Sequence, residues 1–180
     1  MTICIDFETT GLLDNSLIPL DKQPRAIEIC CIKIDDTTFK SIDKFHTFIN
    51  PGIPIPEKIT SITGIKDEDV EDAPSFAAIY NDLCEFFLGE RTMVAQNLGF
   101  DRDILLHELR RIGKEIQFPW PFQHECTVEL TTHLKGYRLK LGDLYEQLFG
   151  EKFPDAHKAE VDTEALVRCY VACRERGIIQ

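Results

Sequence analysis

The stretch Asp6-Phe7-Glu8-Thr9-Thr10-Gly11 decides the reading of this chain. It closes an apolar run that starts almost at the first residue, and that run predicts a strand over 2–7. Side chains alternate along a strand, so Ile3, Ile5 and Phe7 share one face and Cys4, Asp6 and Glu8 the other. Two carboxylates therefore stand at i and i+2 on one face, at a strand end. Like charges held that close raise each other's pKa, and a cation between them removes the cost. A bare Asp-x-Glu reads more simply as a strand running out into solvent. Here Thr9-Thr10-Gly11 turns the chain and leaves hydroxyls and backbone N–H groups beside the two acids.

Outward from that point, residues 26–34 form a nearly continuous apolar run and 38–49 a third, with Phe39, Phe45 and Phe48. The short polar link between them suggests an antiparallel pair. Pro51-Gly52 ends the third strand, and Pro54 and Pro56 keep the next stretch from being strand or helix. Ser75 is a candidate N-cap for a helix whose Phe76, Ile79, Tyr80, Leu83, Phe86 and Phe87 follow helical spacing, ended by Gly89. Residues 92–95 read as a short buried strand, 101–112 as a helix, 126–134 and 141–149 as shorter helices, and 158–176 as a long final helix stopped by Gly177. Pro119, Trp120 and Pro121 mark a loop. Three strands followed by alternating helix and strand imply α/β layering, a mixed sheet covered by helices. With no internal repeat and no linker, 180 residues make one domain, 1–180.

Two further acids sit where solvation does not explain them. Asp101 lies at 0, 4, 8 and 11 with Leu105, Leu109 and Ile112, at the first turn of an apolar stripe; helix capping is its plainer role. Asp162 lies at 0, 4, 7 and 11 with Leu166, Cys169 and Cys173, and a carboxylate there needs a base, strong donors or a metal. His157 precedes it by five residues, at the entry to the helix after Pro154-Asp155. By contrast, Asp67-Glu68-Asp69-Val70-Glu71-Asp72 reads as a solvated face. Asp6, Glu8, Asp101 and Asp162 thus come from three distant segments, and hard oxygen ligands select Mg²⁺ or Mn²⁺. Two such ions suit in-line displacement at phosphorus.

Composition narrows the classes. Twenty Lys+Arg against 31 Asp+Glu give a net charge of −11, which excludes a protein that coats nucleic acid by bulk charge. A bound divalent cation would reverse the sign locally. No 18-residue apolar run exists, so no membrane span or membrane partner is expected. The N-terminus lacks the basic region and cleavage site of a signal peptide. Seven Cys, at 4, 30, 31, 84, 126, 169 and 173, form no Cys-x-x-Cys pair and mostly lie in apolar segments. That argues against a zinc site and for a reducing, cytoplasmic setting.

In this company the chain resembles the DnaQ-like, or DEDDh, 3′→5′ exonuclease family of the ribonuclease H-like superfold. The motifs are Asp6-Phe7-Glu8-Thr9-Thr10-Gly11, then Ala95-Gln96-Asn97-Leu98-Gly99-Phe100-Asp101, then His157-Lys158-Ala159-Glu160-Val161-Asp162, in the family's order. Ile27-Glu28-Ile29, Ile62-Thr63-Gly64-Ile65 and the stretch from Leu139 to Gly150 agree more weakly. Gln96 departs from a common His, which alters contacts around the ligands and removes none. Residues 12–25 form a longer link than many members have, without an assigned role.

The resemblance implies a three-layer α/β fold with a central mixed five-stranded sheet. It implies two Mg²⁺ or Mn²⁺ ions, with Asp6 bridging them, Glu8 and Asp162 completing the shell of the first ion and Asp101 holding the second largely through water. His157 would be the general base, a role its unperturbed pKa of about 6.5 suits. Single-stranded DNA or RNA would be hydrolysed from its 3′ end to nucleoside 5′-monophosphates, in proofreading or end-trimming, with a DNA polymerase or another replication or repair protein as a partner. Candidate substrate contacts are Thr9, Thr10, Gly11 and Asn97, with Leu12, Phe100 or Ile65 wedging or stacking on bases. His133 to Lys140 is the densest basic stretch, either tracking phosphates or simply solvated; Arg110-Arg111 reads as helix surface. The alternatives are a non-catalytic nucleic-acid or polymerase-partner module on the same fold, which has no reason to keep buried acids, and a phosphoesterase for small molecules. DNA against RNA preference and oligomeric state stay open.

Overall fold

A computed structural model describes residues 1–14, 17–153 and 157–179. Strands β1 (Thr2–Thr9), β2 (Ala26–Ile34), β3 (Ser41–Phe48), β4 (Thr92–Ala95) and β5 (Gln123–Cys126) form one sheet in the order β3-β2-β1-β4-β5. β1–β2 and β2–β3 pair antiparallel, β1–β4 and β4–β5 parallel. The mixed five-stranded sheet expected from the resemblance is therefore present.

Both faces of the central strands are buried, which is why β2 reads as a nearly unbroken apolar run. Ile3, Ile5, Phe7, Met93 and Ala95 pack on one side with Ile79 and Leu83 of α3 (Phe76–Phe87) and Leu105 and Leu109 of α4 (Leu98–Arg111). Cys4, Cys30, Ile32 and Val94 pack on the other with α6 (Leu141–Phe149) and α7 (Ala159–Glu175). The alternation in β1 thus sends its hydrophobic residues to the α3/α4 side and its acids to the α6/α7 side. Ser75 caps α3 as expected, its Oγ accepting from Ala78 N–H. All seven cysteines are free, and among the described residues no helix is long and apolar enough to cross a membrane.

Several boundaries move. α4 begins at Leu98 rather than 101, because Asn97 adopts a left-handed backbone (φ 64°) that turns the chain straight out of β4 into the helix. α1 (Glu57–Thr63) starts immediately after Pro56, so the prolines precede a helix instead of excluding one. The acidic run is not only a solvated face. It holds the short helix α2 (Asp67–Val70), where Asp67 Oδ1 accepts Ile55 N–H at 2.8 Å and Asp69 Oδ2 accepts Lys66 N–H at 2.8 Å. The expected helix at 126–134 is split into α5 (Thr127–Leu130) and a 3₁₀ turn at Thr132–Leu134. The link after motif one is closed at its base, where Thr10 N–H donates to Arg25 O and Arg25 N–H to the Thr10 hydroxyl. Arg111 is not helix surface. Its guanidinium pairs with buried Glu108 at 2.7 Å and donates to the carbonyls of Leu20, Gln23 and Pro24, holding that link against α4.

Candidate active site

The carboxyl ends of parallel β1 and β4 are where an open α/β sheet places a ligand. Here the chain ends β1 with Asp6 and Glu8 and runs from β4 into α4, whose first turn carries Asp101. Asp101 is 2% exposed, and its Oδ1 accepts Phe7 N–H at 3.1 Å, tying the two motifs together. α7 brings the third segment. Asp162 lies in its first turn and accepts His157 N–H at 2.9 Å through Oδ2. Side-chain atoms of Glu8, His157 and Asp162 lie within 4.8 Å of one another. His157 itself has a left-handed backbone (φ 77°), a costly conformation for a non-glycine residue and one concentrated at functional sites. The expected lead-in at Pro154-Asp155 lies outside the described residues.

The electrostatics follow from that crowding. Burial, and then repulsion from Asp101, Asp162, Glu8 and Glu28, hold the Asp6 carboxyl well above the usual carboxylate range. Burial and the Asp162 and Glu28 charges push Glu8 up to about 8. Burial raises Asp101 well above the range despite its backbone hydrogen bonds, and burial raises Asp162 although the backbone and ring of His157 pull the other way. Among the described residues no Lys or Arg pairs with any of the four. Anionic oxygens gathered without a counter-charge fit hard divalent cations, and Asp6, Glu8, Asp101 and Asp162 are the residues able to hold them.

Two clefts meet at His157. One, about 600 Å³, has apolar walls from Phe7, Leu12, Ile59, Ile62 and Phe100, with Glu8 and Lys58 at its edge. The other, about 380 Å³, contains Asp6, Gln96, Lys140, Asp143, Phe153 and Asp162. Thr9, Thr10 and Gly11 line the first, but both hydroxyls are engaged: Thr9 Oγ1 donates to Gly11 O at 2.6 Å, and Thr10 Oγ1 accepts from Arg25. Phe100 lines it as expected. Ile65 does not. It is 4% exposed and packs with Ile27, Ile55 and Val70, while Ile62, one turn earlier in α1, reaches the cleft. Asn97 stays at the surface, its side-chain oxygen accepting from Arg138 at 3.1 Å, so the basic stretch 133–140 is anchored beside the site. Gln96 donates to Leu139 O and accepts the Thr127 hydroxyl, bracing the second cleft.

One acid escaped the sequence reading of the site. Glu28, 3% exposed, stands opposite Glu8 across β1–β2. Its signal was the single acid inside a nine-residue, mostly apolar strand.

Comparison with known proteins identifies a family and a fold. A family model described as RNase_T, exonuclease, matches residues 3–170. The DNA polymerase III PolC-type protein of Caldanaerobacter subterraneus subsp. tengcongensis is 30% identical over 97% of this chain and 12% of its own length. The DNA polymerase III subunit epsilon of Buchnera aphidicola subsp. Schizaphis graminum is 35% identical over 64% of the chain and 48% of its own length. The chain therefore spans about an eighth and about half of those relatives. In fold it is similar to the nuclease domain of 3'hExo, a DEDDh family member, bound to rAMP, with a TM-score of 0.77 at 18% identity over 99% of this chain and 94% of that one.

Proposed function

The chain belongs to the DnaQ-like exonuclease family that the RNase_T model describes, and we propose that it is a divalent-metal-dependent 3′→5′ exonuclease acting on single-stranded ends. The observation that carries this is the gathering of Asp6, Glu8, Asp101 and Asp162, without a counter-cation among the described residues, beside His157 at the junction of two clefts. Two ions held there, Mg²⁺ or Mn²⁺, would supply the charge that neutralises the reacting phosphate and lowers the pKa of a bound water. The remaining work falls to the chain. His157 accepts the proton of the attacking water on its ring nitrogen. Phe100, Leu12 and Ile62 bound an apolar cleft wide enough for a terminal base, where stacking is tolerant of sequence. Lys58 at one cleft and Lys140 at the other put positive charge on both sides of the acids, with Arg138 held to Asn97 nearby. A polymerase or another replication or repair protein is the partner class suggested by the relatives, whose proteins extend well beyond this span.

The test is digestion of 5′-labelled single-stranded DNA and RNA oligonucleotides with Mg²⁺ or Mn²⁺, beside a His157→Ala variant. The expected result is a ladder shortening from the 3′ end with nucleoside 5′-monophosphates released. The variant should be about 10²–10⁴-fold slower. Shortening from the 5′ end, or equal rates for the variant, would overturn the proposal.

A further inference from the structure

We propose that Glu28 is a positioning residue for the candidate active site, acting on the N-terminus of α7 rather than as a fifth metal ligand; the inference rests on the proposed nuclease function. Both of its carboxylate oxygens are engaged. Oε2 accepts the backbone N–H of Ala159, the first residue of α7, at 3.0 Å, and Oε1 meets His46 Nε2 of β3 at 2.7 Å. The first N–H groups of a helix have no partner within it. In α7 an acid from a different element, 131 residues away in sequence, supplies one, and its negative charge suits the positive end of the helix dipole.

The position of that bond gives it consequence. Ala159 lies two residues after His157 and three before Asp162, and His157 N–H is itself tied to Asp162 Oδ2. Fixing Ala159 to β2 therefore fixes the general-base candidate and the last carboxylate relative to Asp6 and Glu8 on neighbouring β1. His46 completes the arrangement by holding the Glu28 rotamer, and Lys44, on the same strand, pairs with Glu160 on the exposed side of the same helical turn. A carboxylate buried opposite Glu8 adds to the repulsion already acting on Asp6, Glu8 and Asp162. Its retention at that cost is explained by the hydrogen bonds it accepts.

The experiment compares Glu28→Ala, Glu28→Gln and, as a control of similar burial at the far end of β2, Ile34→Ala. Readouts are thermal stability, backbone amide exchange over 159–162, Mn²⁺ affinity by calorimetry, and kcat and KM on an oligonucleotide. Loss of a group that orients metal ligands typically costs about 10–100-fold in affinity or activity. Glu28→Ala is expected to lose that much in Mn²⁺ affinity and kcat, with KM little changed and exchange at Ala159 and Asp162 accelerated. Glu28→Gln should recover most of the loss, because its amide oxygen can accept from Ala159 while its NH₂ donates to the other tautomer of His46. Ile34→Ala should lose stability without that kcat loss. The inference is overturned if Glu28→Gln is as impaired as Glu28→Ala, because the loss would then not follow the hydrogen bond accepted from Ala159. Unchanged exchange in Glu28→Ala, or an equal kcat loss in Ile34→Ala, would overturn it as well. Amide exchange is read without turnover, so a protein that cleaves nothing would defeat the nuclease proposal while leaving this one decidable.

Discussion

The sheet carries buried or half-buried acids toward both of its ends, and the two sets are treated oppositely. Near the start of β1, Glu90 is bound by Lys33 at 2.9 Å and by the terminal ammonium of Met1 at 3.2 Å. Glu125 takes two bonds from Arg174, at 2.9 and 3.0 Å, and one from the Tyr170 hydroxyl. Toward the other end of β1, Asp6, Glu8, Asp101 and Asp162 have backbone N–H groups and a histidine for company, and no Lys or Arg among the described residues pairs with them. Burial alone does not distinguish the two groups, since Glu90 is only 8% exposed. What distinguishes the two sets is that the fold supplies a counter-charge to Glu90 and Glu125 and none, among the described residues, to the four candidate metal ligands.

The sharpest way to break that contrast is to neutralise one acid of the unpaired set. Asp6→Asn should reduce nuclease turnover by at least about 10³-fold, more than one lost electrostatic contact usually costs, and in EDTA it should raise the melting temperature by relieving repulsion. A lower melting temperature in EDTA would mean that Asp6 has a stabilising partner after all. Next in size is metal linkage and its pH dependence. Glu8, raised from an ordinary 4.5 to about 8, keeps its proton when folded over a range where the unfolded chain has released it. The folded state then binds more protons, so stability must fall as pH rises through that window; the raised pKa values of Asp6, Asp101 and Asp162 act in the same direction. Urea unfolding in EDTA should therefore show a lower midpoint at about pH 8 than at about pH 5. Mn²⁺ at a hundredfold excess over its Kd should restore about 2.7 kcal/mol. A flat profile in EDTA would remove the electrostatic distinction between the two ends. The smallest effect is expected from Lys33→Ala at the paired end. Stability should drop by about 1–3 kcal/mol as Glu90 loses a partner, with turnover near wild type; a large loss of activity there would show that the two ends are not independent.

The same contrast explains what was legible in the sequence. Asp6, Asp101 and Asp162 interrupt hydrophobic periodicity, and periodicity is the signal a single sequence carries most strongly, so the central acids and the strands and helices beneath them could be read directly. β5 could not. Gln123–Cys126 is a four-residue edge strand of mostly polar residues, and the resemblance implied only that a fifth strand exists, not where it lies. α1 and α2 were lost behind prolines and acids whose capping roles depend on contacts such as Asp67 with Ile55. Ile65 and Ile62 are chemically alike, and only the turn of α1 decides which of them meets the cleft. Glu28 and Arg111 belong to the same class. Each was visible as a charge, but the value of each comes from backbone groups that lie far away in sequence.

The pair of backbone and hydroxyl bonds between Thr10 and Arg25 also separates two evolutionary freedoms. Below it, one residue gained or lost would slide β2 against β1 and turn Glu28 to the opposite face of the sheet. Beyond it, closing a somewhat longer excursion costs little entropy, so peptide can be added between Leu12, which lines the cleft, and Leu20, which Arg111 holds, without sliding the strands. A reporter tag grafted into that excursion would give a labelled enzyme whose acids stand where they stood before.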